Sequence, residues 1–417
     1  MPTLNHSVKL SLAEWNEIVS LLQSLIRAHP IYASKGLSKA QNTLLEYLVK
    51  KGWKNIYEDI FYASDIENLP EYVKVEKFGK LYENYKEIPK KNLIAVIEGS
   101  NPGPTIIFNG HIDVDIVADK NWRFENGWKG GKIHKGKVYG RGATDMLSGL
   151  VGLVAVGSLL LKNRDLWKGR IILTAVTDEE IGGNGTLRSL HWLKTKGLLS
   201  ENTEAIIAEP SDQSYALSSL GFLHFSAEVY QKACHMGAFH KNKHTLGTAA
   251  KFYEKIDTLL LKAGRELDPK VDENSLVSNI GRINGGEDPT IPIVKLQWEG
   301  TIFHPSSIKS HELKTTLQNL IEKNFPEIKF KWNAFNFEGA TFEYGNLCHA
   351  LELSRNMSFP CKLFKSPCDA RLFKKFKIPT LIYGPGHLLQ AHSTDEFIQL
   401  EDLRNYIEHL TDAMLLL

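Results

Sequence analysis

Three consecutive acids, Asp178, Glu179 and Glu180, stand between the apolar run GRIILTAV and the glycine-rich turn GGNG. Like charges this close repel, and carboxylates at the edge of a core are costly unless they are paired. The next cation on the C-terminal side is Arg188. A bound metal would supply the missing charge, and its other ligands should then be recognisable. PTIIFNG runs into His111 and Asp113, EAIIA runs into Glu209, Asp145 stands in YGRGATDM ahead of an apolar helix, and AHSTDEF supplies His392. Taken singly, an acid after a strand is most often a cap or a solvated loop residue, and a lone histidine a hydrogen-bonded one. The combination says more. A carboxylate two residues from an imidazole can accept its second N–H and orient the ring. Two histidines with three or four carboxylates suit two divalent ions, and the imidazoles favour zinc.

The elements that must position these residues are legible as alternation. NLIAVIEG (92–99), PTIIFNG (104–110), GRIILTAV (169–176) and EAIIAEP (204–210) read as short buried strands. Between them, helices are expected at 146–162 and 185–196, after amphipathic helices at 12–28, capped by Ser11, and from Ser38 to Lys51. This is the pattern of an α/β layered domain with a mostly parallel central sheet, where ligands gather beyond the carboxyl ends of the strands. From about 220 the texture changes. HFSAEVY, VKLQWEGTIF and IKFKWNAF alternate with period two, and helices are expected at 248–264, ended by Gly264, and at 313–325. A small inserted α+β domain follows, with boundaries at 219–337, leaving 1–218 and 338–417 as one catalytic domain.

Composition excludes several classes. The 417 residues carry a net charge of +2, and no single-sign field recommends nucleic acid or an anionic membrane. MLSGLVGLVAVGSLLL (146–161) is shorter than the roughly 20 residues of a span and reads as a buried core helix. Four scattered cysteines without a CxxC pair, and an N-terminus too polar for a signal peptide, place the expected protein in the cytoplasm.

GHIDVD, GRGATDM, TDEEIGGNGT, AEPSD and the pair GPG…AHSTDEF resemble the five signature regions of the di-zinc amidohydrolase and exopeptidase family. That family includes acetylornithine deacetylase, succinyl-diaminopimelate desuccinylase, aminoacylase and carboxypeptidase G. Their order and spacing agree from about residue 90 onward. The resemblance implies a zinc-exopeptidase-like catalytic domain with a ferredoxin-like insert that serves dimerisation and closure. It implies two zinc ions, with cobalt or manganese able to substitute. His111 would bind one and His392 the other, and Asp145 would bridge both. Glu209 would complete the first shell and Glu180 the second. Asp113 would orient His111, Glu179 would act as general base and acid, and a cis peptide would follow Asp145. Asp178 has no assigned role and is expected to be solvated or to cap a turn. The insert lends a histidine to the reaction in this family; His235 fits the preceding context best, His240 fits the spacing to Gly247, and His244 is expected on the surface. Gly384 and Gly386 would line the substrate pocket. Arg371 would bind a substrate carboxylate or pair with Asp369.

The implied activity is hydrolysis of a linear amide in a small N-acyl compound, as by a deacetylase, deformylase or desuccinylase, in a homodimer paired through the insert. One departure bears on substrate. Relatives carry Asn-x-x-Pro followed by Arg in the insert, whereas here Pro289 and Ile302 stand at those places. An amine without an α-carboxylate would fit that loss, as would a compensating group at His304, Lys295 or Arg282. The competing expectations are a metallo-dipeptidase or carboxypeptidase, and a non-catalytic binding protein on the same scaffold.

Overall fold

The computed structural model describes residues 8–75, 84–212, 214–238, 244–355 and 361–417. The chain forms two compact units. One takes the chain up to Ser218 together with Phe342–Phe364 and Cys368–Leu417; the other takes Ser219–Thr341 and Lys365–Pro367. The return crossing falls at Phe342, a little past the boundary expected at 338. The strand Lys329–Phe337 stays paired with Gly221–Tyr230 as far as Phe337, opposite Phe222.

In the first unit the strand order is Asn55–Phe61, Lys90–Glu98, Arg170–Val176, Thr105–His111, Thr203–Ile207, Thr380–Ile382 and Tyr215–Ser219. The four strands from Arg170–Val176 to Thr380–Ile382 run parallel, and antiparallel strands flank them on both sides. His111 ends its strand opposite Val176. The segments carrying Asp113, Glu179 and Glu209 therefore leave the sheet at the same edge. Successive side chains point to opposite faces. Ile106 and Phe108 join a core with the helices Leu12–Ala28, Leu147–Lys162 and Leu400–Leu416, while the helix Asn184–Thr195 covers the other face.

The helix Leu147–Lys162 is buried almost all round, as its uniform apolarity demands. Its Gly149 permits close approach to the strand end, since a Cβ there would strike the carbonyl of Ala208, next to Glu209. The helix Leu12–Ala28 opens with a complete capping box, in which Ser11 and Glu14 satisfy each other's backbone N–H groups. The second helix begins at Lys35, capped by Ser34, so the expected start at Ser38 is three residues late.

The insert runs strand–helix–strand–strand–helix–strand. Its four antiparallel strands have the order Val277–Gly285, Lys295–His304, Gly221–Tyr230, Lys329–Phe337, which is the ferredoxin-like arrangement. Its first helix, Thr245–Leu267, does not stop at Gly264. That glycine lies inside the helix because Leu276 occupies the space a side chain would need. The strand Val277–Gly285 escaped the sequence reading because it is an exposed edge with almost no apolar alternation.

Candidate metal centre

The parallel strands deliver a compact cluster. His111 extends from the end of its strand and is 1% exposed. Its Nε2 lies 3.1 Å from Asp145 Oδ1, 3.8 Å from Glu209 Oε1 and 3.9 Å from Glu179 Oε2. His392 approaches from the C-terminal segment in a left-handed conformation, with φ of 57°. Its Nε2 lies 3.3 Å from Asp145 Oδ2 and 3.1 Å from Glu180 Oε2. The two oxygens of Asp145 thus face different imidazoles. The peptide after Asp145 is cis, and Met146 Sδ accepts from the backbone N–H of His111.

The electrostatics are those of acids crowded together out of water. Burial pushes Glu179 and Glu209 well above the usual carboxylate range, and neighbouring carboxylates push further. Burial acts on Asp145 too, but hydrogen bonds from His111 and His392 outweigh it and hold the group low. The charge of Glu180 leads in pushing His392 up to about 12. The cluster therefore needs positive charge. Donor atoms around a tetrahedral zinc, each about 2.0–2.2 Å from it, lie about 3.3–3.6 Å from one another. The imidazole–carboxylate distances above fall around that spacing, and three groups of donor atoms lie within 4.8 Å of one another: His111, Glu179 and Glu209; His111, Asp145 and Glu180; and Asp115, Glu180 and His392.

Several expectations need correction. The Nδ1 of His111 meets the backbone carbonyl of Asp113 at 2.8 Å, while the Asp113 carboxylate is 4.0 Å away. That carboxylate instead accepts from the backbone N–H groups of Glu179 and Glu180. Asp113 thus meets the ring through its main chain and the acid loop through its side chain. Asp178 is neither solvated nor at the surface. It is fully buried, accepts from the Tyr85 hydroxyl at 2.8 Å and from Thr177, and has a φ of 68°. Burial raises it to about 6, and the ammonium of Lys90 is the main opposing influence. The cation that sequence proximity failed to show lies 88 residues upstream in the chain. Arg371 is buried beside Asp369 and donates to the Gly182 carbonyl, inside the turn that follows the acids. Gly384 meets the backbone of Ala208 and Glu209, leaving no room for a Cβ, and Gly386 accepts from the N–H of Asp212. This turn backs the Glu209 segment.

Residues the sequence reading missed complete the cluster's support. Asp115 Oδ2 lies 3.3 Å from His392 Nδ1, and the Asp115 N–H donates to Glu180. Glu396, fully buried, accepts from the N–H groups of Thr144 and Asp145 with one oxygen and from Arg141 with the other at 2.6 Å. Arg141 also donates to the carbonyl of His392. Both Arg141 and Glu396 stand inside quoted motifs, but only their burial shows that they form a pair.

In the insert, His235 is exposed, its Nδ1 accepting from Gly237, and His240 lies outside the described residues. His244 caps the helix Thr245–Leu267. Ile302 is fully buried in the insert's own core. The compensating candidates are engaged there as well: His304 with Pro305 and Ser310, Lys295 with Glu228, and Arg282 with Glu299.

A sequence profile of peptidase family M20/M25/M40 matches residues 107–416. A probable succinyl-diaminopimelate desuccinylase of Staphylococcus aureus is 25% identical over 392 residues, covering 86% of this chain and 91% of that protein. The N-formyl-4-amino-5-aminomethyl-2-methylpyrimidine deformylase of Bacillus subtilis is 24% identical over 370 residues, covering 78% and 82%. Among solved structures, the dipeptidase Dug1p of Saccharomyces cerevisiae superposes with a TM-score of 0.71 at 13% identity, covering 98% of each chain. No helix among the described residues is long and apolar enough to cross a membrane.

Proposed function

The chain belongs to peptidase family M20/M25/M40 and is a metal-dependent amide hydrolase; from that premise we propose that it removes a formyl, acetyl or succinyl-type acyl group from a small amine lacking an α-carboxylate. Zinc is the proposed metal, two ions per chain, with cobalt or manganese as substitutes. His111, Glu209 and Asp145 would hold one ion, and His392, Glu180 and Asp145 the other. The observation that carries this reading is Asp145, whose two oxygens lie 3.1 and 3.3 Å from the Nε2 atoms of the two histidines. When bound, such an ion pair supplies positive charge that polarises an amide carbonyl and acidifies a water.

The chain's residues do the rest. Glu179, largely shielded from solvent beside His111 and raised by that desolvation, takes the proton of the attacking water. It then delivers the proton to the leaving nitrogen, which departs as an amine. Asp113 and Asp115 are positioning residues, the first for the acid loop and His111, the second for His392. His235 is the insert's proposed contribution, reaching the reaction from a partner subunit of a homodimer in the cytoplasm. Arg371 and the turn of Gly384 and Gly386, which support the Gly182 turn and the Glu209 segment, are proposed to border the substrate through those segments.

The proposed substrate class is supported by the fate of the candidates for a carboxylate grip in the insert. Ile302 is closed into its core, and His304, Lys295 and Arg282 are engaged with partners of the insert. None of the three described candidates His304, Lys295 and Arg282 is an uncommitted grip for an α-carboxylate, and the pyrimidine deformylase is a relative whose named substrate is a formylated heterocyclic amine. The test is amine release from N-formyl, N-acetyl and N-succinyl amino acids, the corresponding N-acyl amines, and dipeptides. Enzyme would be stripped with chelator and assayed before and after zinc is restored. Zinc-dependent release confined to N-acyl amines is expected. Preference for N-acyl-α-amino acids would overturn the substrate class, and preference for dipeptides would favour a peptidase.

A further inference from the structure

We infer that Tyr85, from a part of the chain that lies before the family's matched region, and Asp178 form a positioning device for the loop carrying Glu179. The inference rests on the role of Glu179 given above.

The loop 178–183 is anchored on two sides. On one, the Asp113 carboxylate accepts from the N–H groups of Glu179 and Glu180. On the other, the Tyr85 hydroxyl donates to Asp178 Oδ2 at 2.8 Å and accepts from Asn184 Nδ2 at 2.8 Å. Asn184 in turn holds both the carbonyl and the N–H of Val73, at 2.9 and 3.1 Å. Ile181, within the loop, packs against Tyr32, Ala63 and Tyr85. Lys90 brings its ammonium 3.9 Å from the Tyr85 ring centroid and donates to the carbonyls of Tyr85 and Ile88. Tyr32, Ala63, Val73, Tyr85 and Lys90 all precede residue 107, where the family match begins. Only the first anchor thus lies wholly within the matched region.

The second anchor acts on backbone that has little freedom to spare. Asp178 holds φ at 68° immediately before Glu179, and its carbonyl accepts from Gly183 at 2.7 Å, closing the turn. Positive φ is unfavourable for a non-glycine residue. The buried carboxylate pinned by Tyr85 and Thr177 fixes Asp178 in that conformation, and with it the direction in which Glu179 leaves the chain. Small displacements of a reacting group cost about 100-fold in rate.

The experiment compares full-length, zinc-loaded wild type with Tyr85→Phe, Asp178→Gly and Glu179→Gln. Glycine adopts positive φ without strain, so Asp178→Gly removes the anchor without forcing the turn. Measured are bound zinc, melting temperature, kcat and KM on whichever panel amide the wild type hydrolyses, and hydrogen exchange of amides 178–183. Expected for both anchor variants are full metal content, KM within about twofold, a kcat lowered about 10–100-fold, and faster exchange confined to 178–183. A folded, metal-loaded Tyr85→Phe or Asp178→Gly with kcat within about twofold of wild type and unchanged exchange would overturn the inference, even with Glu179→Gln inactive. An active Glu179→Gln would instead remove the base on which the inference rests. If Tyr85→Phe does not fold, Asp178→Gly decides by the same criteria.

Discussion

At the scale of single residues, the cluster separates groups that hold charge from groups that aim them. The first kind was readable as chemically conspicuous acids and histidines: His111, Glu179, Glu180 and Glu209 follow apolar strands, Asp145 stands ahead of an apolar helix, and His392 lies in AHSTDEF. The second kind was misread or missed. Asp178 looked like a third exposed acid, because sequence shows neighbours along the chain and its partners, Tyr85 and Lys90, are remote. Asp115 was one more Asp in GHIDVD until its carboxylate stood 3.3 Å from His392 Nδ1. A carboxylate there fixes the ring and raises its basicity toward a metal, and losing such a partner typically costs 10–100-fold in metal affinity. Asp115→Ala should therefore weaken the binding of one zinc by about 10–100-fold, leaving the other unchanged, in a competition titration against a chromophoric chelator. Equal affinities for wild type and variant at both sites would contradict the assignment.

At the scale of elements, buried strands and strongly periodic helices were legible, since apolar runs flanked by turn residues leave few alternatives. Edge structure was not. The strand Val277–Gly285 has no buried face to impose a pattern, and the stop expected at Gly264 failed because helix-internal glycine also serves close packing. Helix ends also carry chemistry. The helix Leu12–Ala28 ends at His29, whose φ of 51° needs a residue that tolerates the left-handed region. Burial, reinforced by Lys129 and Arg141, lowers its imidazole to about 4. Its pKa when unfolded is near 6.5. Between these values the unfolded chain binds a proton that the folded chain refuses, so stability falls as pH drops from about 6.5 to 4. His29→Asn keeps the tolerated backbone without the titration. Denaturant unfolding of metal-free wild type and variant should show the wild type losing stability relative to the variant over that interval. Parallel pH profiles would contradict the burial of this imidazole.

At the scale of the molecule, the chemistry comes from the carboxyl edge of the parallel strands and from a segment near the end of the chain. Arg141 and Glu396, 255 residues apart, tie the backbone of Asp145 to that of His392. Sequence indicated that the edge would gather acids, because ligands of open α/β sheets bind there. It did not indicate the buried ion pair, whose members have no period and no neighbourly spacing. Everything proposed for catalysis depends on Asp145 serving two ions at once. The most direct measurement is zinc stoichiometry and affinity for wild type and Asp145→Asn, with folding of both checked by circular dichroism. Two ions per wild-type chain, and loss of tight binding at both sites in the variant, is the result predicted here. A folded Asp145→Asn that retains either ion at wild-type affinity, or a wild type that binds only one, would contradict a bridging carboxylate.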